Sequence, residues 1–204
     1  MTSVILGDII RSQKARPELW LKILKSELKQ KGTNPKNWDV FRGDSFEVEE
    51  PDPSLSLFTA VRIKAAIKTI RNIDVRMSIG IGEKTYVARR ITESNGPVFV
   101  NSSGVFDNLV REKQNLAIAS PWKDFDNDMN LLLKFALIAM DNWSVKSAEV
   151  VHLAMSNPGK LQNELGEILG IRQNAVSNRL KRARFAEVSE LLHHFQKKIK
   201  ELAE

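Results

Sequence analysis

Residues 161–185, LQNELGEILGIRQNAVSNRLKRARF, constrain this chain more than any other stretch. Two short helices are predicted, joined at Gly170, where a residue tolerant of positive φ usually stops a helix. The first carries Leu161, Leu165, Ile168 and Leu169 at the spacing of one helical face, and the second turns Ala175, Val176, Leu180 and Ala183 inward. Gly166 lets the pair approach closely at a steep angle. The outward set of the second helix is Arg172, Gln173, Asn174, Ser177, Asn178, Lys181 and Arg182. Residues 171–185 contain no acid and five bases, Arg172, Arg179, Lys181, Arg182 and Arg184. The pattern predicts a helix-turn-helix.

Its chemistry suits double-stranded DNA. Gln and Asn bond bidentately to adenine, Arg to guanine and Ser to either, in a groove wide enough for a helix. Lys181 and Arg182, later in the same helix, would neutralise phosphates and fix the register. The plainer reading is a surface helix pair with a solvated basic face. The segment resembles region 4 of sigma factors and related bacterial regulators. There a Leu-Gly-Ile turn precedes Val-Ser-x-Arg-Leu and a basic Arg-Ala-Arg ending, here residues 169–171 and 176–184.

The remaining residues supply packed cores: 42% of the 204 are hydrophobic and 27% charged. The net charge of +6 favours a polyanionic partner. Without cysteine there is no disulfide or thiolate metal site, which suits a reducing cytoplasm. The start, MTSVILGDII, has an Asp inside it and is too short for a signal-peptide apolar region. The longest apolar stretch, 131–140, is broken by Lys134. No membrane partner and a cytoplasmic location are therefore expected.

In chain order, residues 3–10 read as a buried strand, and Pro17 opens a helix through Leu19, Ile23, Leu24 and Leu28. Residues 38–41 and 45–49 form a hairpin around Arg42-Gly43-Asp44. A second amphipathic helix, 57–70, runs through Val61, Ala65 and Ile67, then a strand over 74–82, a turn and helix over 96–110 and a last strand over 116–119. Residues 122–142 form a long helix with Phe125, Met129, Leu132, Leu133 and Phe135 among its apolar positions; 187–204 is amphipathic through Val188, Leu191, Leu192, Phe195, Ile199 and Leu202. This order predicts an α+β chain: a ferredoxin-like (cyclase-like) antiparallel sheet domain over 1–120, a connecting helix over 121–142 and an all-α helix-turn-helix domain over 143–204.

VILGDIIRSQ, FRGDSFEV, VRMSIGIG and GPVFVNSSGVFDNL fall in the order and spacing of the SatD family of bacterial proteins, which the chain resembles. That family is similar to the catalytic domain of class III nucleotide cyclases, where two Asp hold metal ions against a nucleoside triphosphate. The resemblance implies that Asp8 and Asp44 are metal residues, with Mg²⁺ and a nucleotide as the ligand. From the residues alone, a βαββ unit puts both carboxylates near one strand end, where they would need a cation such as Mg²⁺. Equally, Asp44 serves the turn and Asp8 the strand end through hydrogen bonds. The resemblance also implies binding without catalysis, because Val105 stands one helical turn after Asn101, where the cyclases carry an Arg. Glu83, Lys84, Arg89 and Arg90 are loop charges within reach of an anion. His152, His193 and His194 lack metal-ligand spacing.

The function expected is a sequence-specific DNA-binding transcriptional regulator, a homodimer, with a degenerate cyclase-like sensor or dimerisation domain. The alternative is a metal-dependent nucleotide-processing enzyme targeted to DNA.

Overall fold

In the computed structural model, which describes residues 1–203, β1 (Thr2–Ile10) runs through the centre of a five-stranded sheet. Pro17 opens α1 (Pro17–Leu28). The hairpin of β2 (Trp38–Phe41) and β3 (Ser45–Glu50) turns at Arg42 and Gly43, whose φ of 51° and 91° give the positive-φ pair that matches strand twist. Then follow α2 (Ser56–Ile67), β4 (Asp74–Gly82), α3 (Pro97–Glu112) and β5 (Leu116–Ala119). The strand order is β2-β3-β1-β4-β5. Neighbouring strands are antiparallel except β4 and β5, which are parallel. The sheet is therefore mixed rather than wholly antiparallel. The departure comes from α3, a helical crossover that returns the chain in its original direction.

One face of the sheet carries Ile5, Ile9, Phe46, Val48, Met77 and Ile79, all buried in the main core with α2. The other face carries Leu6, Asp8, Asp39, Glu47, Arg76 and Ser78, placed there by the two-residue period. There α3 lies directly on β4: a Cβ at Gly80 would stand 2.3 Å from the Val98 carbonyl oxygen. Only glycine permits that approach.

The second helix differs from its expectation. Leu57, Ala60, Val61, Ile63, Lys64, Ala65, Ala66 and Ile67 of α2 are all buried, so the helix has almost no polar face. Its pattern looks one-sided only because the second cover comes from far along the chain, from α5 (Val145–Ser156). The fully buried Lys64 ammonium lies 2.8 Å from Asp74 Oδ1 and 2.7 Å from Asp141 Oδ1. Lys68 donates to Asp74 Oδ2 at 2.9 Å and to the Asp141 carbonyl at 2.7 Å. Asp141 caps α4 (Lys123–Met140), so the cluster ties α2, β4 and α4 together. A second cluster joins α1, α2 and α5: Glu27 pairs with Arg62 at 2.8 Å and with His152 at 2.9 Å.

The chain ends in α6 (Gln162–Leu169), α7 (Gln173–Arg182) and α8 (Phe185–Ala203). One apolar core continues from the sheet through Phe125, Met129 and Leu133 of α4 and Val151 of α5 to Phe195 and Ile199 of α8. The opposite side of α4 leaves Leu131, Phe135 and Ile138 exposed, at 56%, 65% and 68%. Among the described residues no helix is long and apolar enough to cross a membrane.

Removing one partner from a buried pair leaves an uncompensated charge, and Lys64→Met leaves Asp141, which is 32% exposed, with only the Asn115 amide at 2.9 Å among the described side chains. Denaturant melts of this variant should show a loss of about 3 kcal/mol. A melt unchanged from the parent would mean that the cluster does not hold these elements.

Candidate nucleic-acid interface and sheet carboxylates

The turn between α6 and α7 is built from backbone constraints. Gly170 adopts φ 64°, and the Ile171 N–H donates to the Gly166 carbonyl at 2.9 Å. A Cβ on Gly166 would lie 2.6 Å from the Ile171 carbonyl oxygen, so this position admits no side chain. Leu165, Val176 and Val150 form a small core, with Leu153, Leu169, Ile171 and Leu180 packed around it. Two residues expected on the inner face are instead exposed, Leu161 at 66% and Ile168 at 54%. With only eight residues, α6 buries the stripe through Leu165 and Leu169; Ile168 falls beside it and Leu161 precedes the helix.

On α7, Arg172, Gln173, Asn174, Asn178, Lys181 and Arg182 are exposed and Ser177 is half-buried. Arg172, Lys181 and Arg182 pair with no carboxylate among the described residues. Arg179 is drawn inward, 3.6 Å from Glu149 of α5. Asn178, Lys181, Arg182 and Arg184 surround a surface hollow of about 340 Å³. Arg184 lies outside the outward set that the helical pattern predicts; its φ of 53° breaks α7 from α8 and turns it to join the hollow. The Trp143 indole N–H donates to the Ala183 carbonyl at 2.8 Å, fixing that break from α4's side. The arrangement offers amides and a hydroxyl along the helix and cations at its end, the distribution that base edges and phosphates require.

At the sheet, Asp8 stands opposite Ser45 of β3 and Arg76 of β4. Arg76 donates from Nε to Oδ1 at 3.2 Å and from Nη2 to Oδ2 at 3.3 Å. Asp44 accepts from the Ser12 hydroxyl at 2.7 Å, and its carbonyl accepts from the Ile9 N–H at 3.1 Å. The βαββ unit thus brings both carboxylates to one strand end. Burial pushes the Asp8 carboxyl above its usual range, Arg76 opposes that, and Asp44 adds to it. Arg76 already supplies the positive charge such a pair needs, and a cation would have to displace it. Among the described residues no group of three or more His, Asp or Glu converges on a possible metal position. As placed, Asp8 is engaged by Arg76 and Asp44 by Ser12.

Apart from Arg89, which is exposed, the other candidates are engaged within the fold. The Asn101 amide donates to the Ile81 carbonyl at 2.7 Å. Lys84 pairs with Glu49 at 2.8 Å, and Arg90 with Asp39. One functional-type residue escapes sequence reasoning. Glu47 alternates like a solvent-facing strand residue, yet it is buried, because residues 83–96 cross over this face through Ile91. Burial pushes its carboxyl up to about 7, Lys84 opposing and Asp39 reinforcing the shift. Comparison of the sequence with family models finds no match, and comparison with curated proteins finds none either.

The raised Glu47 carboxyl makes stability pH-dependent. Between its unfolded value of 4.5 and about 7, the folded chain holds the proton more tightly, so stability falls as pH rises through that window. Glu47→Gln should remove this slope and be more stable than the parent above pH 7 by up to roughly 3 kcal/mol. Parallel melts at pH 4.5 and 8 check it, and equal slopes for the two proteins would refute it.

Proposed function

We propose that this chain is a sequence-specific DNA-binding regulator of transcription that reads duplex DNA with α7. The observation that carries the reading is the exposed, acid-free face of Arg172, Gln173, Asn174, Ser177, Asn178, Lys181 and Arg182, on a helix held by α5 and α6. The sheet region is read as ferredoxin-like and cyclase-like, a sensor or dimerisation body. The order β2-β3-β1-β4, with α1 and α2 in the two crossovers, supports this, β5 being an addition at one edge. Turnover of a nucleotide has less support, because Asn101 spends its amide on the sheet and Val105 offers no charge. A DNA reader of this kind works in the cytoplasm of a bacterium.

Lys181→Ala with Arg182→Ala should weaken binding to every duplex and flatten the salt dependence by about one unit of log–log slope for each phosphate no longer neutralised. Asn174→Ala should cost about 1–3 kcal/mol and relax preference at one base pair. Fluorescence anisotropy across a salt series measures both. A double variant that binds like the parent at low salt refutes the assignment.

A homodimer is part of this reading, since one helix-turn-helix meets one half-site. Along α4, Asp124, Asp128, Leu131, Phe135 and Ile138 are exposed at alternating steps of four and three, the spacing of a coiled-coil seam. Antiparallel pairing with a second copy sets the acidic start of one helix toward Arg184 beside the end of the other. Sedimentation of the parent should give twice 23.1 kDa, and Phe135→Glu should give a monomer. A parent that stays monomeric with and without DNA removes the dimer.

A further inference from the structure

A cavity of about 330 Å³ lies between the turn Pro53–Leu55, α2, α5 and α8. Its walls include Phe58 of α2, Met155 of α5, and Phe185 and Leu192 of α8, with His193 at the exposed rim. Ser54 lines it too, and this residue is only 3% exposed. Its backbone N–H is satisfied by Asp52, but its hydroxyl is buried without a hydrogen-bond partner among the described residues. An orphaned hydroxyl costs stability, and a ligand seated in the hollow that reaches it relieves that cost. The volume lies within the range of small-molecule sites, which favour seams between structural units.

We propose that this cavity is an effector site for a small, neutral aromatic molecule with one hydrogen-bonding substituent, of the phenol type. Phe58 and Phe185 supply aromatic walls, and the Ser54 hydroxyl donates to or accepts from the substituent. Neither Lys nor Arg lines the cavity and His193 stands only at its exposed rim, so a carboxylate seated inside would lack a buried counter-charge, and with no Asp or Glu an ammonium would fare no better. The site touches both α5, which supports α7, and the first residue of α8, which follows α7 after the break at Arg184. A ligand that fits one arrangement of these helices better than another shifts their population. This regulatory consequence rests on the DNA-reading assignment; the binding site does not.

The test titrates the full chain with phenol, benzoate and toluene, following backbone and methyl resonances. Phenol at millimolar concentration should give saturable shifts centred on Met155, Phe185 and Leu192, with benzoate weaker. Ser54→Ala should weaken phenol by about fivefold and leave toluene unchanged or tighter, which isolates the hydroxyl. Ala154→Phe, which fills the cavity, should abolish both. Absence of saturable shifts with phenol and toluene overturns the site, as does a phenol affinity untouched by Ser54→Ala. Saturating phenol should also change the DNA affinity of the parent but not of Ala154→Phe. An unchanged DNA affinity overturns the effector role alone. A parent that binds no DNA sinks the DNA reading while the resonance titration still decides the cavity.

Discussion

Burial of the Lys64 ammonium is the constraint from which the rest of the arrangement follows. A charge taken wholly out of water is tolerated only beside opposite charges. The carboxylates come from the first residue of β4 and from the residue after α4, so burying α2 fixes where a strand begins and where a helix stops. Lys68, one turn later, closes the cluster through the Asp141 carbonyl. Because α2 is covered on both sides, sheet and C-terminal helices share one core, and Glu27, Arg62 and His152 repeat the solution with α1.

Charge is distributed unevenly over the molecule, and this bears on function. On the polar face of the sheet, Asp8, Asp39 and Glu49 are matched to Arg76, Arg90 and Lys84, all internal partners. Glu47 is the unmatched remainder, and its raised carboxyl is the result. The cations of α7 have no such matches apart from Arg179, so this helix presents unpaired charge where it also projects amides. That contrast is the reason the proposed function is placed on α7 rather than on Asp8 and Asp44.

Much of this is legible in sequence wherever the cause is local. The Arg42-Gly43 turn, Gly166, Gly170 and the two-residue alternation of β1 and β4 each act within a few residues of their own position. What is not legible depends on distant cover or register. The partner of Asp8 stands 68 positions away, across a strand pairing that no local pattern specifies. Glu47 is hidden by a loop crossing over its face, and α2 loses its solvent side to α5. The exposure of Ile168 and Leu161 follows from the shortness of α6, where one stripe suffices. The parallel edge strand comes from a crossover helix whose side of the sheet the chain order leaves open.

The bond from the Trp143 indole to the Ala183 carbonyl has a mechanical meaning. In a continuous helix that carbonyl would accept from the N–H four residues on. With the indole there, and Arg184 left-handed, α7 and α8 cannot fuse into one rod. A fused rod would carry the basic side chains around in a continuing spiral and swing the N-terminal end of α7 off the small core at Val176. The indole acts as a bolt through an elbow: it keeps ten residues protruding as a short, separately aimed probe.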